Sequence, residues 1–445
     1  MVIFVEKITP RVQYIFKYIF KEVLGLSYQI TNDITYFKKL STAKINYTNY
    51  SFSGIINIKP HALLFENHVK PQEIEVTKWK SHPIFFQQKD IWEQNPDIPF
   101  DLFAAVFFLI SRYEEYLPFK PDKYGRFEAG QSLAFKHGFL QEPVVNQWIN
   151  LLKEELLKKY PALEFNTPEY RHLSTIDIDS AFAFKYKGVL RTFIASAMNL
   201  VKGDISRLRM RMNVLRNKAP DPYDVFSKLI HINRKYKIKP IWFFQVGKLG
   251  RYDKNISLNR NHFKALVRQI EAIDNIGIHP SYQSNLHSLI LKMEMNTLQK
   301  LIKKPIIRSR QHYIKLSLPT TYRKLIKMGI KEEYSMGFSS DIGFRAGTCT
   351  PFLFFDLKSN KETDLRIFPF QVMDACLNHY MKLSPGRAME VIKELSGKVK
   401  KVNGLFISVW HNESLSNAMQ WEGWEHMYEE MVKAVQPAAD YSVKK

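Results

Sequence analysis

Two aspartates close a short apolar segment, and their spacing is suited to chemistry. The segment is Thr175-Ile176-Asp177-Ile178-Asp179, in which the two carboxylates alternate with isoleucine. In a β-strand both carboxylates would point to the same face. Two carboxylates held this close are costly unless a cation or a shared proton lies between them. One could then act as a base while the other binds metal. The alternative is a helix-capping aspartate beside a surface aspartate.

Three histidines also follow apolar segments. His279 lies between an apolar segment and a proline turn, His411 follows the last apolar segment, and His312 alternates with Arg308 and Arg310. Imidazoles at strand ends can bind a metal ion or act as general acids, and His411 is our candidate acid. For His279 the alternative is a hydrogen-bonded structural histidine. The alternating trio faces either solvent or a polar cavity.

A glycine-flanked arginine completes the set of candidates. Gly343 and Gly347 flank Arg345 in the segment GFRAGTCTPF. Glycine permits tight backbone conformations, so this loop could hold a guanidinium near a carboxylate or a substrate oxygen. Together the candidates place two aspartates, three histidines and an arginine at successive strand ends, which a random chain would seldom do.

Secondary structure must position these residues, and the pattern of strands and helices in the second part of the chain predicts how. Seven short apolar strands are predicted at residues 172–178, 239–246, 275–279, 305–312, 333–338, 365–370 and 404–410. Helical patterns lie between most of them, at residues 222–236, 259–273, 289–303, 320–328 and 385–398. Strands linked through helices indicate a parallel α/β arrangement. If the sheet closes into a barrel, the C-terminal strand ends should carry the chemistry.

The first part of the chain has a different pattern. Short β-like stretches at residues 54–58 and 62–65 are mixed with helical segments around 103–116 and 144–159. The helical pattern breaks near residues 161–168, where two prolines occur. We therefore predict a smaller α+β domain over residues 1–165, of unknown role, followed by a second domain over residues 166–435.

Composition excludes several classes of protein. Hydrophobic residues make up 45% of the 445 residues and charged residues 24%, so a packed core is expected. Two cysteines cannot build a disulfide framework or a cysteine-rich zinc site. The N-terminal segment does not resemble a signal peptide, and the apolar run at residues 102–110 is too short for a membrane span. We expect a cytoplasmic protein, free or peripheral to the inner membrane.

The net charge of +22 should attract polyanions. Basic residues concentrate between Lys185 and Lys218, where Asp204 is the single acid and apolar residues recur at helical spacing. A basic amphipathic helix pair could rest on an anionic membrane surface or line a channel for acidic substrates. The alternative is the solvated face of an ordinary helix. No nucleic-acid-binding motif accompanies the charge, so nucleic acid is not an expected partner.

The motifs at residues about 172–415 resemble the NodB-homology domain of the polysaccharide deacetylases, carbohydrate esterase family 4. The matching segments, in family order, are TIDID, IWFFQVGKLGRYDKN, NIGIHPSYQS, GFRAGTCTPF and ISVWHNES. The resemblance implies a distorted (β/α)7 barrel. The segments ISRYEEYLP and GRFEAGQS resemble an uncharacterised domain that precedes such deacetylases in Bacteroidetes-type proteins.

The resemblance also implies roles for individual residues. Asp177 matches the catalytic base, Asp179 and His279 match metal ligands, and His411 matches the catalytic acid. Arg345 matches the arginine motif and would orient the base. The family's ordinary cofactor is a divalent metal ion, Zn²⁺ for preference, with Co²⁺ or Ni²⁺ as alternatives.

One expected ligand is missing. The family's second metal-binding histidine corresponds to Gln283, four residues after His279. We infer, independently of the resemblance, that His312 supplies the missing imidazole from the neighbouring strand end, with His287 a poorer candidate. Asp374 could stand in for the aspartate of the fourth motif.

The sequence therefore predicts a metal-dependent deacetylase that acts on N-acetylhexosamine units of a polysaccharide or a glycolipid precursor. Its partners would be an acetylated glycan or a lipid-linked sugar, with peripheral contact to an anionic membrane through residues 185–218. The alternative is a catalytically degenerate barrel that binds a polyanionic glycan or a membrane surface.

Overall fold

A computed structural model describes residues 1–87 and 96–437 of the 445-residue chain. Within these residues, no helix combines the length and hydrophobicity needed to cross a membrane. Two parallel sheets organise the fold, and one apolar core runs through both. The predicted division at residues 165 and 166 stays a prediction.

The first sheet has four strands in the order β2-β1-β3-β4, with every neighbouring pair parallel. This is an α/β arrangement rather than the expected α+β one, because parallel neighbours need crossover connections. The strands of this part, including an antiparallel hairpin of β5 and β6, are β1 (Val2–Val5), β2 (Gln29–Thr31), β3 (Lys44–Tyr47), β4 (Ile56–Asn57), β5 (Thr77–Trp79) and β6 (His82–Ile84). Its α-helices are α1 (Pro10–Phe16), α2 (Ile34–Lys39), α3 (Leu102–Ile110), α4 (Leu133–Lys136) and α5 (Val144–Lys159).

Local capping explains where the first part departs from its predicted pattern. Residues 62–65, predicted as a strand, form a 3-10 helix, Ala62–Phe65. The backbone N–H of Leu63 donates to Nδ1 of His61 at 3.3 Å, a side-chain cap that starts the turn. The predicted helix over residues 103–116 ends at Ile110, because Arg112 adopts a left-handed conformation with φ of 53°.

The second sheet has nine strands in the order β12-β13-β11-β10-β9-β8-β7-β15-β14. All neighbours are parallel except the antiparallel pair of β12 and β13. The strands are β7 (Arg171–Ile178), β8 (Ile241–Phe244), β9 (Asn275–Ile278), β10 (Arg308–Ser309), β11 (Glu332–Glu333), β12 (Phe352–Asp356), β13 (Lys361–Ile367), β14 (Val372–Met373) and β15 (Leu405–His411). Each predicted apolar segment overlaps one of these strands. The segment 333–338 does so only at Glu333, the last residue of β11. In the described residues the hydrogen-bonded order ends at β12 and β14, so barrel closure stays a prediction.

Helices connect most of the parallel strands, as predicted. They are α6 (Val189–Val201), α7 (Ile205–Leu215), α8 (Phe226–Lys235), α9 (Asn261–Glu271), α10 (Ser288–Ile302), α11 (Thr320–Lys327), α12 (Pro385–Lys401) and α13 (Met427–Val435). The start of α12 follows from its sequence, because Ser384 caps the helix and Pro385 occupies its first turn.

The edge strand β12 was not predicted, and it joins the two parts of the fold. The ring of Tyr14, on α1, lies 4.9 Å from that of Phe355, and its hydroxyl donates to the carbonyl of Leu353 at 2.7 Å. Phe107, on α3, packs against Phe355 at 5.2 Å between ring centroids. The first part of the chain therefore covers one end of the nine-stranded sheet, where an exposed edge would invite pairing with other chains.

Candidate active site

The C-terminal ends of neighbouring strands meet in one cavity of about 480 Å³. Parallel pairing brings them together, because the ends of all parallel strands lie at the same edge of a sheet. In the register of β7 and β15, Asp177 lies directly opposite His411. The cavity is also lined by Asp179, His279 and His312. Five of the six predicted site residues are therefore adjacent in space.

Three of these side chains form a candidate metal centre. One ligand atom from each of Asp179, His279 and His312 lies within 4.8 Å of the others. Oδ1 of Asp179 is 3.0 Å from Nε2 of His279, and its Oδ2 is 3.3 Å from Nε2 of His312. By contrast, Gln283 and His287 are exposed. The structure places the imidazole of His312, rather than either of these side chains, beside Asp179 and His279, and its role as a metal ligand stays a prediction.

The outer ring nitrogens fix how the two imidazoles point. Nδ1 of His279 lies 2.6 Å from the backbone carbonyl of Arg310, and because a carbonyl can only accept, Nδ1 donates. Nδ1 of His312 is 2.8 Å from Oδ1 of Asp253. Such outer contacts orient histidine ligands in metal sites. In both rings they leave Nε2 directed at Asp179.

The donor set fits a divalent cation. Oδ1 of Asp179 is buried and makes no hydrogen bond among the described residues, although Nε2 of His279 is only 3.0 Å away. Burial disfavours its charge, but the neighbouring imidazole of His312 holds the pKa of Asp179 well below its ordinary value. Burial likewise opposes a charge on His312, yet Asp179 and Asp253 raise its pKa to about 9. The centre therefore attracts positive charge, and two imidazoles with one carboxylate are ligands typical of catalytic zinc sites.

Asp177 stands beside this centre and is held by an arginine from β10's end. Nη1 of Arg310 donates to Oδ1 of Asp177 at 3.3 Å and to Oγ1 of Thr175 at 2.7 Å. The guanidinium is fully buried between the rings of Phe243 and Phe370, 4.9 and 5.5 Å from their centroids. The contact fixes one oxygen of Asp177, and the other, Oδ2, lies 4.0 Å from Nε2 of His279. Asp177 is therefore equipped to act as a base.

His411 also adjoins this centre. Its Nδ1 and its backbone N–H both contact the buried carboxylate of Asp374, each at 2.7 Å. Burial alone would lower the pKa of His411, but Asp374 raises it well above its ordinary value. Nε2 lies 3.7 Å from Oδ2 of Asp179. The pair can present a proton to the cavity, and the correspondence of Asp374 to the fourth motif stays a prediction.

The predicted contact between Arg345 and Asp177 is wrong. Arg345 donates to both carboxylate oxygens of Glu115, at 2.8 and 2.6 Å, and to the carbonyl of Gly337 at 3.0 Å. The loop is as tight as its glycines suggested: Gly347 has φ of 66°, and a side chain there would lie 2.7 Å from Leu109. This loop packs against the first part of the chain, so its guanidinium meets an acid from that part.

Sequence reasoning missed two residues that position the site. Asp253, behind His312, lies in a segment that we matched only to a family strand. Arg310 was noted only as one of an alternating trio. Arg308 instead pairs with Glu332 at 2.7 Å, away from the cavity. Because β10 spans only residues 308–309, strand alternation does not extend to the residues after it.

The first part of the chain contributes to the cavity rim. Lys123, Tyr124 and Arg126 line the cavity, although no site residue was predicted before residue 166. The ring of Tyr124 packs against Tyr313 and Tyr252, with centroids 4.9 and 5.9 Å apart. Aromatic side chains at a cavity mouth offer flat apolar surfaces to a ligand.

Comparisons with known proteins give remote similarity. Residues 1–161 match DUF7033, a family of unknown function. A comparison with curated proteins finds no match. Among solved structures, the chain is similar to a presumed polysaccharide deacetylase from Mycobacterium smegmatis, with 12% identity and a TM-score of 0.40 over 62% of this chain and 86% of that one. It is also similar to a polysaccharide deacetylase from Bacillus cereus, with 11% identity and a TM-score of 0.30 over 60% and 87%. A third, IcaB from Ammonifex degensii, gives 13% identity and a TM-score of 0.23 over 39% and 86%.

Proposed function

We propose that this protein is a metal-dependent deacetylase that removes acetyl groups from N-acetylhexosamine units of a polysaccharide or glycolipid precursor. One observation carries the proposal. Asp177 and the His411–Asp374 pair both adjoin a cluster of ligand atoms from Asp179, His279 and His312. Amide hydrolysis needs a base, an acid and an electrophile around one carbon, and this cavity offers all three. At these TM-scores the proposal rests on the geometry of the site.

Asp179, His279 and His312 would hold the divalent ion, which we propose is Zn²⁺, with Co²⁺ or Ni²⁺ as substitutes. When bound, the ion would supply Lewis-acid polarisation of the acetyl carbonyl and would acidify a nearby water. The two imidazole ligand atoms are oriented by the outer hydrogen bonds before any ion arrives, so that binding requires little rearrangement of the rings.

Asp177 takes the proton of the attacking water. Its Oδ1 accepts from Arg310, while its Oδ2 lies 4.0 Å from Nε2 of His279, next to the place where water must attack. The hydrogen bond from Arg310 holds the carboxylate in place and prevents it from turning away. Arg310 is therefore a positioning residue for Asp177, a role that the sequence had given to Arg345.

His411 gives a proton to the departing amine. An amine is a poor leaving group unless it is protonated as the C–N bond breaks, so an acid must face the nitrogen. Asp374 holds Nδ1 of His411 and leaves Nε2 to face the cavity. Because the carboxylate of Asp374 favours the imidazolium, the acid is charged before the substrate binds. A protonated imidazolium that faces the nitrogen suits amide substrates, whose leaving amine needs more assistance than the leaving alcohol of an acetate ester.

Metal content and acetate release test the proposal together. Purified protein is expected to bind Zn²⁺ in a one-to-one ratio and to release acetate from N-acetylated chitooligosaccharides. His312→Ala should lose the metal, whereas His287→Ala, which changes an exposed imidazole on the same side of the sheet, should keep both metal and activity. Protein that binds no Zn²⁺, Co²⁺ or Ni²⁺ and releases no acetate would instead indicate the non-catalytic binding protein.

A further inference from the structure

Helix α6 presents its apolar face to solvent and its polar face to the protein. The most exposed of its large apolar side chains, with their exposed fractions, are Val189 (88%), Leu190 (73%), Phe193 (71%) and Val201 (88%). Asn199, in contrast, is buried, and Thr192 and Ser196 face α7, where Arg211 donates to the carbonyl of Thr192 and the hydroxyl of Ser196. A surface helix of a globular protein normally has the opposite orientation. Its apolar stripe is therefore unexplained by folding.

Positive charge surrounds this apolar face. Lys202 and Arg209 are exposed on the same helical hairpin of α6 and α7. Beneath the hairpin lies a second cavity of about 450 Å³, lined by five cationic side chains against the single acid Glu413. The cations are Lys187, Arg191, Arg207, Arg211 and Lys254. An apolar face bordered by basic residues is the pattern of helices that lie in the headgroup region of anionic membranes.

One buried cation in this second cavity forms no ion pair with any described residue. Arg211 is 93% buried, since only 7% of it is exposed, and its Nε makes no hydrogen bond within the part of the chain that the structure describes. Its contacts are to the neutral acceptors on α6 and to the ring of Phe184, 5.3 Å from the guanidinium. A buried guanidinium without an anion is costly, and a phosphate group would satisfy it.

The second cavity adjoins the candidate active site. Ser180, Lys254 and Glu413 line both cavities. Ser180 directly follows Asp179, the carboxylate of the candidate metal centre. A single molecule could therefore place one group among the arginines and a covalently linked sugar in the candidate active site.

We propose that the α6–α7 hairpin docks in the surface of an anionic membrane and that the cavity beneath it binds the phosphate of a lipid-linked glycan substrate. The apolar stripe enters the headgroup region, Lys202 and Arg209 contact anionic lipid, and the arginines receive the phosphate. The sugar then extends past Ser180 into the active site. The identity of the substrate rests on the proposed function, whereas membrane docking does not.

Vesicle binding tests the docking, and it is measured without substrate. Wild-type protein should bind phosphatidylcholine vesicles that contain phosphatidylglycerol and should not bind phosphatidylcholine alone. The triple variant Leu190→Ser, Phe193→Ser and Val201→Ser should bind about tenfold more weakly or worse. The control, Leu289→Ser, removes a side chain of α10 that is 76% exposed and should bind as wild type does. Thermal unfolding checks that the variants are folded.

Three results would overturn the docking. Wild-type protein could fail to bind the vesicles that contain phosphatidylglycerol. The triple variant could also bind these vesicles as well as the wild type does. Size-exclusion chromatography could also show a wild-type dimer that the triple variant converts to monomer, which would assign the apolar face to a second copy of the chain. Vesicle binding by a protein that releases no acetate would refute the proposed deacetylase and leave the docking intact.

The phosphate cavity has its own matched comparison. Arg191→Gln with Arg211→Gln removes two charges from the cavity, and Lys202→Gln with Lys218→Gln removes two from the exposed surface. If the cavity binds a phosphate, the first pair should weaken binding to vesicles containing phosphatidic acid severalfold more than the second. Equal losses of vesicle binding in the two double variants would show that any positive charge on the surface attracts the vesicles equally, and would refute the phosphate site.

Discussion

Two buried arginine–carboxylate pairs in this protein use the same chemistry for opposite purposes. In the active-site cavity, Arg310 contacts one oxygen of Asp177 and leaves the other facing His279. Between the two parts of the fold, Arg345 occupies both oxygens of Glu115. The first carboxylate keeps an oxygen for proton transfer. In the second carboxylate, both oxygens accept hydrogen bonds from Arg345.

The partners of the second pair explain this difference. Glu115 also accepts from Arg112 at 2.8 Å, and the two guanidinium groups outweigh its burial and lower its pKa to about 2. Arg112 in turn donates to the backbone carbonyl of Arg345. This closed cluster joins residues 112–115 to the loop around residue 345. A buried arginine on a carboxylate is therefore no sign of catalysis unless one oxygen remains available.

The largest effect should come from the carboxylate in the cavity. Asp177→Asn keeps the shape but cannot accept a proton, so kcat for acetate release from N-acetylated chitooligosaccharides should fall about 10³-fold. Bound Zn²⁺, measured by elemental analysis, should stay at the wild-type level, because the ligands are unchanged. A rate within tenfold of wild type would remove Asp177 from its role as base.

Glu115→Gln should act on stability instead. The change leaves the buried guanidinium groups of Arg112 and Arg345 without a full counter-charge, at a cost of about 3–5 kcal/mol in the free energy of unfolding. Urea unfolding at neutral pH measures the loss. The control is Glu164→Gln, an exposed glutamate that should change the free energy by less than about 0.5 kcal/mol. If folded Glu115→Gln loses activity without losing stability, the two pairs are not distinct in purpose.

The same pair predicts a pH dependence of stability. The pKa of Glu115 is about 2 in the folded protein and ordinarily 4.5, so the folded state favours the ionised form. This contribution is complete above pH 4.5 and is lost as the pH falls towards 2. Between pH 6 and pH 3 the stability difference between wild type and Glu115→Gln should shrink by roughly 2 kcal/mol. Urea unfolding at both pH values checks it, and a constant difference would contradict the lowered pKa.

The strand ends could be predicted from sequence because they obey local rules. The alternating residues of TIDID place Asp177 and Asp179 on one face, and parallel topology brings the end of β15 beside them. The interpretation that His312 replaces the imidazole missing at Gln283 needed only the expectation that neighbouring strands end together. Each inference used spacing within one segment and one rule about sheets.

The arginines could not be assigned in this way. Which acid meets Arg345 depends on a residue 230 positions earlier in the chain, and no local pattern records that contact. The glycines around Arg345 indicated a tight loop near a carboxylate, and both features are present, but the carboxylate is Glu115. Arg310 lies beyond a two-residue strand, where period-two reasoning fails. The packing of the two parts against each other decides the case of Arg345, whereas contacts with Thr175 and Asp177 of β7 decide that of Arg310.

A third buried carboxylate should give the smallest effect and refine the comparison. Asp253 touches neither arginine; its Oδ1 contacts Nδ1 of His312 at 2.8 Å and accepts from the backbone N–H of Tyr282 at 3.0 Å. Asp253→Asn keeps a hydrogen-bonding group but removes the charge that favours a cation at the centre. Replacing such an outer partner typically lowers the metal affinity by a factor of about 10–100. We expect a decrease of about tenfold for Zn²⁺, measured by competition with a chelating dye, with kcat nearly unchanged at saturating metal. An equal loss of kcat at saturating metal would show that Asp253, like Arg310, positions a reacting group rather than only a metal ligand.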